Sequence, residues 1–133
     1  SENGLQHIFK IHGKVNDRKL IKQFHTNASV FLLPTYFSHE AQPVSIIEAL
    51  NAATPVIATN HASIPEYIID GYNGFLVDKQ APAQIEESIE KLMEPEQWKN
   101  MALNARKSFE EKFSYEKYEE RIFNLFELKD QEA

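Results

Sequence analysis

The chain has 133 residues, 42% of them apolar and 26% charged, with no cysteine and a formal net charge of −6. One domain with a single closed core fits that length, and the missing cysteine excludes a disulfide framework, a thiolate zinc site and a thiol nucleophile. The acidic balance argues against nucleic acid, whose phosphates need a basic footprint, and no apolar run approaches the roughly 20 residues that span a bilayer.

Apolar periodicity and punctuation then give an alternation of strands and helices. Ile8 to Ile11 reads as a short strand ended by Gly13. Asn16 or Asp17 can cap a helix that carries Leu20, Ile21 and Phe24 on one face. Ala28 to Leu33 is a continuous apolar run stopped by Pro34, the pattern of a strand buried on both faces. Pro43 suits a first helical position, with Val44 to Ala53 as the helix, and Pro55 to Ala58 as the next buried strand. Ser63-Ile-Pro-Glu66 has the form of a capping box, opening a brief helix that Gly71 can end. Asn73-Gly74 makes a turn before a fourth strand, Phe75 to Val77. From Pro82 to about Leu128 the pattern is helical, with breaks near Pro95 and Ser114, and residues 129–133 read as a frayed tail.

Strands alternating with helices predict a Rossmann-like, three-layer α/β domain with a short parallel sheet, ending in several helices. The competing expectation is an α+β fold with antiparallel strands. In the parallel arrangement, right-handed crossovers bring the loops near residues 13–16, 34–42, 59–63 and 78–82 to one edge. Ligands of open α/β sheets bind at that carboxyl edge.

The stretch His39-Glu-Ala-Gln-Pro-Val-Ser-Ile-Ile-Glu-Ala-Leu50 carries the chemistry. Glu40 falls in the loop leaving the second predicted strand. Glu48 falls in the second turn of the next helix, inside an apolar run where an unpartnered carboxylate is costly. A vicinal diol is a good partner, because a carboxylate accepts from two adjacent hydroxyls. Between the two acids the first amides of the helix, at Val44, Ser45 and Ile46, make a ready anion site. Together these ask for a nucleotide sugar. His39 and His61 lie in the same edge loops, but exposed, uncommitted histidines are the plainer reading. Glu86, Glu87 and Glu90 read as a solvated helix face. No metal-ligand spacing, dinucleotide fingerprint or P-loop occurs.

Glu40 and Glu48 in the Glu-x7-Glu spacing, followed by Ala49, resemble the signature of group 1 glycosyltransferases, family 4 in the carbohydrate-active classification. Phe31 to Pro34, Thr54 to Thr59, Ile64-Pro-Glu66 and Asp70 to Val77 are similar to that family in the same order, over about Ile8 to Tyr118. The resemblance implies the C-terminal, donor-binding domain (residues 1–128) of a two-domain GT-B enzyme, which transfers a hexose from a nucleoside-diphosphate sugar with retention and without a metal or cofactor. It also implies Glu40 as the catalytic-site acid near the donor sugar and Glu48 on the ribose hydroxyls. Ala41, Gln42, Pro43, Val44 and Ser45 would then cradle the diphosphate, and Gly13, Lys14 and Val15 would lie by the base. The acceptor, a glycan or a lipid-linked sugar, would be bound by an N-terminal domain preceding this region, so the chain reads as a hexosyltransferase fragment, inactive alone and cytoplasmic, the longer protein free or peripheral to a membrane.

Two departures from the family stand out: Ala41 where a glycine usual to the family would close on the sugar, and Ala62-Ser63 where a glycine pair is common. They keep open a non-catalytic sugar-nucleotide-binding or scaffolding domain, and a different GT-B enzyme such as a sugar-nucleotide epimerase. Phe109, Phe113, Tyr115, Tyr118, Ile122, Phe123 and Phe126 recur at helical spacing. Part of that face, around Phe123 and Phe126, is expected to pack on the second domain and to favour self-association without it.

Overall fold

A computed structural model describes residues 4–36 and 44–132. Asp17 is extended and its Oδ1 accepts from the Lys19 amide at 2.9 Å, which starts α1 (Arg18–Asn27) as its cap. The chain continues through β1 (Phe31–Leu33), α2 (Val44–Asn51), β2 (Val56–Thr59), a 3-10 turn (Ile64–Glu66) and β3 (Gly74–Val77). It ends in α3 (Pro82–Leu92), α4 (Pro95–Lys112) and α5 (Tyr115–Glu132). Pro82 and Pro95 open their helices where an N–H would have no intrahelical acceptor, and the break between α4 and α5 falls at Ser114. Helix α5 runs four residues past Leu128, where the apolar pattern stops.

The three strands form one parallel sheet in the order β1-β2-β3, which excludes the antiparallel alternative among the described residues. Alternate residues of β2 face opposite layers. Val56 and Ala58 join Ile46, Leu50, Ile64, Ile68 and Ala105 on one face. Ile57 joins Phe75, Val77, Leu92 and Met101 on the other. Helix α4 serves both layers. Its first half brings Trp98 and Met101 to the second face and its later half brings Ala105 and Phe109 to the first. The indole of Trp98 also donates to the Ser29 carbonyl at 2.7 Å, tying α4 to the entry of β1.

Four local expectations are corrected. Ile8 to Ile11 is not a strand: a 3-10 turn covers Gln6–Ile8 and residues 9–13 have no regular structure. A strand needs a neighbour to satisfy its backbone, and these residues lie on no sheet edge; Ile8, Phe9 and Ile11 are 65%, 67% and 96% exposed. The run from Ala28 narrows to a three-residue strand on the sheet's edge, so Leu32 is exposed rather than doubly buried. Ser63 makes no side-chain cap: its dihedrals (φ −86°, ψ −5°) are already helical, whereas a capping residue is extended. Helix α2 stops at Asn51, before Ala53, and the chain turns through Ala53 at φ +57°. There Ala53 and Thr54 donate back to the Leu50 and Ala49 carbonyls at 3.1 and 2.9 Å, the paired closure that usually employs glycine.

Asn73-Gly74 does more than turn the chain. A Cβ on Gly74 would overlap the Val56 carbonyl oxygen, so only glycine lets β3 start this close to β2. Asn73 is fully buried. Its Oδ1 accepts from the Ile69 amide at 2.8 Å, and its Nδ2 donates to the Tyr67 carbonyl (3.1 Å) and Ser108 Oγ (3.0 Å). The side chain thus joins the 3-10 segment, the start of β3 and α4. Removing it strands those partners in a dry site, so Asn73→Ala should lower unfolding stability by about 3 kcal/mol in a urea titration. A loss under about 1 kcal/mol would show that the three bonds are replaceable by water.

Candidate functional site

Parallel strands put the segments after β1, β2 and β3 at one edge of the sheet, with the first turn of α2 among them. Glu40, Ala41, Gln42 and Pro43 lie outside the described residues, as does His39. Val44 and Ser45 open α2, and their amides belong to the first turn, where a helix has no acceptors of its own. Val44 is exposed and Ser45 half-buried, so the backbone here is reachable from the edge.

Glu48 is not a freely solvated helix residue. Its side chain retains 30% of its exposure and is held from two sides. Arg18 Nη1, from the first turn of α1, reaches its Oε1 at 3.3 Å. His25 Nε2, one residue past the middle of α1's last two turns, meets its Oε2 at 3.2 Å. The two contacts differ in kind. Arg18 is 84% exposed, and an ion pair with so mobile and hydrated a partner contributes little. His25 is buried, its ring 5.1 Å from that of Phe31, and its carbonyl accepts from Thr54 Oγ1 at 2.7 Å. Each carboxylate oxygen has two acceptor positions, so Glu48 keeps capacity for further donors.

A pocket of about 530 Å³ opens beside this carboxylate, between α1 and α2. Arg18, Lys22, His25, Glu48, Asn51 and Arg106 line it, making a locally cationic groove on an acidic chain. Arg106 is fixed there: its guanidinium donates to the carbonyl (2.7 Å) and side-chain oxygen of Asn51, at the C-terminus of α2. A cation suits that helix end, where carbonyls are left over.

Gly13, Lys14 and Val15 lie in the segment before α1 and do not line the pocket beside Glu48. Gly13 turns at φ +64°, Asp17 caps α1, and Arg18 makes the reach to Glu48. No local pattern marks Arg18, His25 or Arg106, which lie 30, 23 and 58 positions from Glu48 and meet it or its pocket only through the fold. Glu86, Glu87 and Glu90 are exposed, as their spacing suggests. Among the described residues, no three acids and histidines come together in a metal-holding group, and no helix is long and apolar enough to cross a membrane.

This is the Rossmann-like domain that forms the C-terminal half of a GT-B fold. More particularly, the family model for glycosyl transferases group 1 matches residues 1–112, and the chain belongs to that family. An uncharacterized glycosyltransferase of Methanocaldococcus jannaschii is 32% identical over 116 residues, 87% of this chain and 32% of that protein. Sucrose-phosphate synthase of Thermosynechococcus elongatus has the same fold, with a TM-score of 0.82 at 22% identity, covering 99% of this chain and 33% of that one. HepE of Anabaena, solved with UDP and glucose, gives a TM-score of 0.80 at 21% identity, over 95% of this chain and 34% of that one. The chain therefore spans about a third of the length of these relatives.

At the same edge, Ala62 departs from the family's glycine and yet takes φ +51°, a left-handed conformation that glycine enters without strain. A left-handed residue other than glycine costs about 1–2 kcal/mol, partly offset by glycine's greater freedom when unfolded. Ala62→Gly should therefore stabilise the domain by about 0.5–1 kcal/mol, read as a rise in thermal midpoint. A fall would mean that the methyl makes a compensating contact.

Proposed function

We propose that this chain is the donor-binding domain of a retaining hexosyltransferase, which takes a nucleoside-diphosphate sugar and delivers the sugar to a glycan or lipid-linked acceptor. The half-buried carboxylate of Glu48, presented by the second turn of the edge helix α2, is the observation that carries this reading. Four residues of helix separate it from Val44, a rise of about 6 Å. That is the span between a ribose hydroxyl and the diphosphate of one nucleotide. Glu48 accepts from the ribose diol, the α2 amides at Val44 and Ser45 hold the diphosphate with Gln42 and Pro43 leading into them, and Gly13-Lys14-Val15 lies by the base. Glu40, followed by Ala41 in the chain, serves as the acid at the donor sugar.

On this reading the chain supplies orientation and charge neutralisation to the leaving diphosphate, without a metal. The acceptor comes on a second domain, and this chain alone transfers no sugar. Structures such as that of HepE, determined with UDP-glucose and with UDP, support a nucleotide-sugar ligand.

Calorimetric titration with UDP tests the site. Wild-type chain should bind, and Glu48→Ala, losing two charge-assisted hydrogen bonds, should bind about 10- to 100-fold more weakly with an unchanged fold by circular dichroism. Equal affinity in the variant would remove Glu48 from the donor site.

Helix α5 carries the face for the second domain: Phe123 and Leu125 are 64% and 58% exposed, whereas Phe109 and Phe113 pack into the core. The side chain of Phe126 lies outside the described set. Sedimentation of the isolated chain should show concentration-dependent self-association that Phe123→Asp weakens; a monomer at every concentration would count against an interface here.

A further inference from the structure

We propose that His25 is a positioning residue for the donor site: it holds one oxygen of Glu48 so that the other faces the ribose. The inference rests on the donor-domain reading of Glu48 and adds a residue that the Glu-x7-Glu pattern does not contain. Three observations carry it. His25 Nε2 lies 3.2 Å from Glu48 Oε2, within donating distance. The imidazole is packed, its ring 5.1 Å from that of Phe31, and the backbone that carries it is tied down where its carbonyl accepts from Thr54 Oγ1 at 2.7 Å. The residue is 8% exposed, whereas Arg18, on the other oxygen, has a side chain 84% exposed.

The asymmetry is what makes this a positioning device. A glutamate has three rotatable side-chain bonds, and ordering it on ligand binding costs free energy that a prior contact removes. A buried donor on Oε2 fixes the carboxylate plane before any nucleotide arrives. The exposed Arg18 is exchangeable, so Oε1 is the oxygen a ligand can take over. The charged groups that line the groove with His25 are Arg18 and Lys22 on its own helix, Glu48 on α2 and Arg106 on α4.

Ribose discrimination is the test, with UDP and 2′-deoxy-UDP as probes on this chain. Wild type should favour UDP by about tenfold. His25→Gln, which keeps a donor near the position of Nε2, should retain most of that preference. His25→Phe, which keeps ring packing without a donor, should reduce it to within about twofold while the thermal midpoint stays at or above that of the Gln variant. A merely structural role would reverse the order, with Phe retaining the preference and Gln losing it, and that result overturns the proposal. If wild type favours UDP and both variants keep the preference, His25 is not positioning Glu48, yet the donor-site reading stands. If wild type binds neither probe or makes no distinction, the ribose role of Glu48 falls and the proposal with it.

Discussion

Val56, Ile57, Ala58 and Thr59 are each at most 1% exposed, and a strand so placed constrains everything around it. Full burial of each aliphatic side chain is worth about 1.5–3 kcal/mol, available only if both faces of β2 are covered. The chain meets that demand with α2 and the later half of α4 on one face, and α3 with the first half of α4 on the other. Parallel pairing of β1 and β3 to this strand satisfies its backbone and sets the direction of every crossover. The ligand edge is therefore a consequence of packing: once β2 is sandwiched, the loops after the strands have one place to emerge. Asn73 and Gly74 belong to the same constraint, since one knits the segment before β3 to α4 and the other lets β3 approach β2.

Packing also explains why Glu48 is unlike the other acids of the chain. Helix α2 turns Ile46, Ala49 and Leu50 into the core, which leaves Glu48 on the shoulder facing α1. A carboxylate at a half-dry boundary needs partners, and α1 presents Arg18 and His25 at either end of the approach. The chain is acidic overall, yet the surface beside this carboxylate collects Arg18, Lys22 and Arg106. A local field of that sign favours an anionic ligand beside an acid that would otherwise repel it.

Much of this was legible in the residues. Asp17 as a cap, Pro82 and Pro95 as helix openings, the buried β2 and the break at Ser114 all rest on local chemistry that short stretches reveal. The Glu-x7-Glu spacing placed one acid on α2 for the same reason. What failed was anything that depends on a partner distant in the chain. Ile8, Phe9 and Ile11 are apolar enough for a strand, but apolarity states a wish for burial and does not supply a neighbouring edge. In the doubly wound order 3-2-1-4-5-6 two strands lie between the third and the fourth, so the strand before a crossover need not pair with the strand after it. The β1-β2-β3 sheet has two free edges, and residues 8–11 pair with neither. His25 and Arg18 are hidden likewise, because a histidine and an arginine on a polar helix face look solvated until α2 is laid against α1.

The two left-handed alanines show how firmly topology overrules residue preference here. Ala53 closes α2 with both hydrogen bonds of the paired motif although it carries a methyl, and Ala62 keeps the turn between β2 and the 3-10 segment under the same strain. Neither backbone relaxes into an easier conformation. At Ala53 an easier φ would pull Thr54 from the Ala49 carbonyl and from His25, loosening the residue that steadies Glu48. At Ala62 it would shift Ile64, a fully buried residue that closes the core on the α2 side. In both places a left-handed residue costs less than losing the contacts that follow it, so the strain is held in place by burial one or two residues further on.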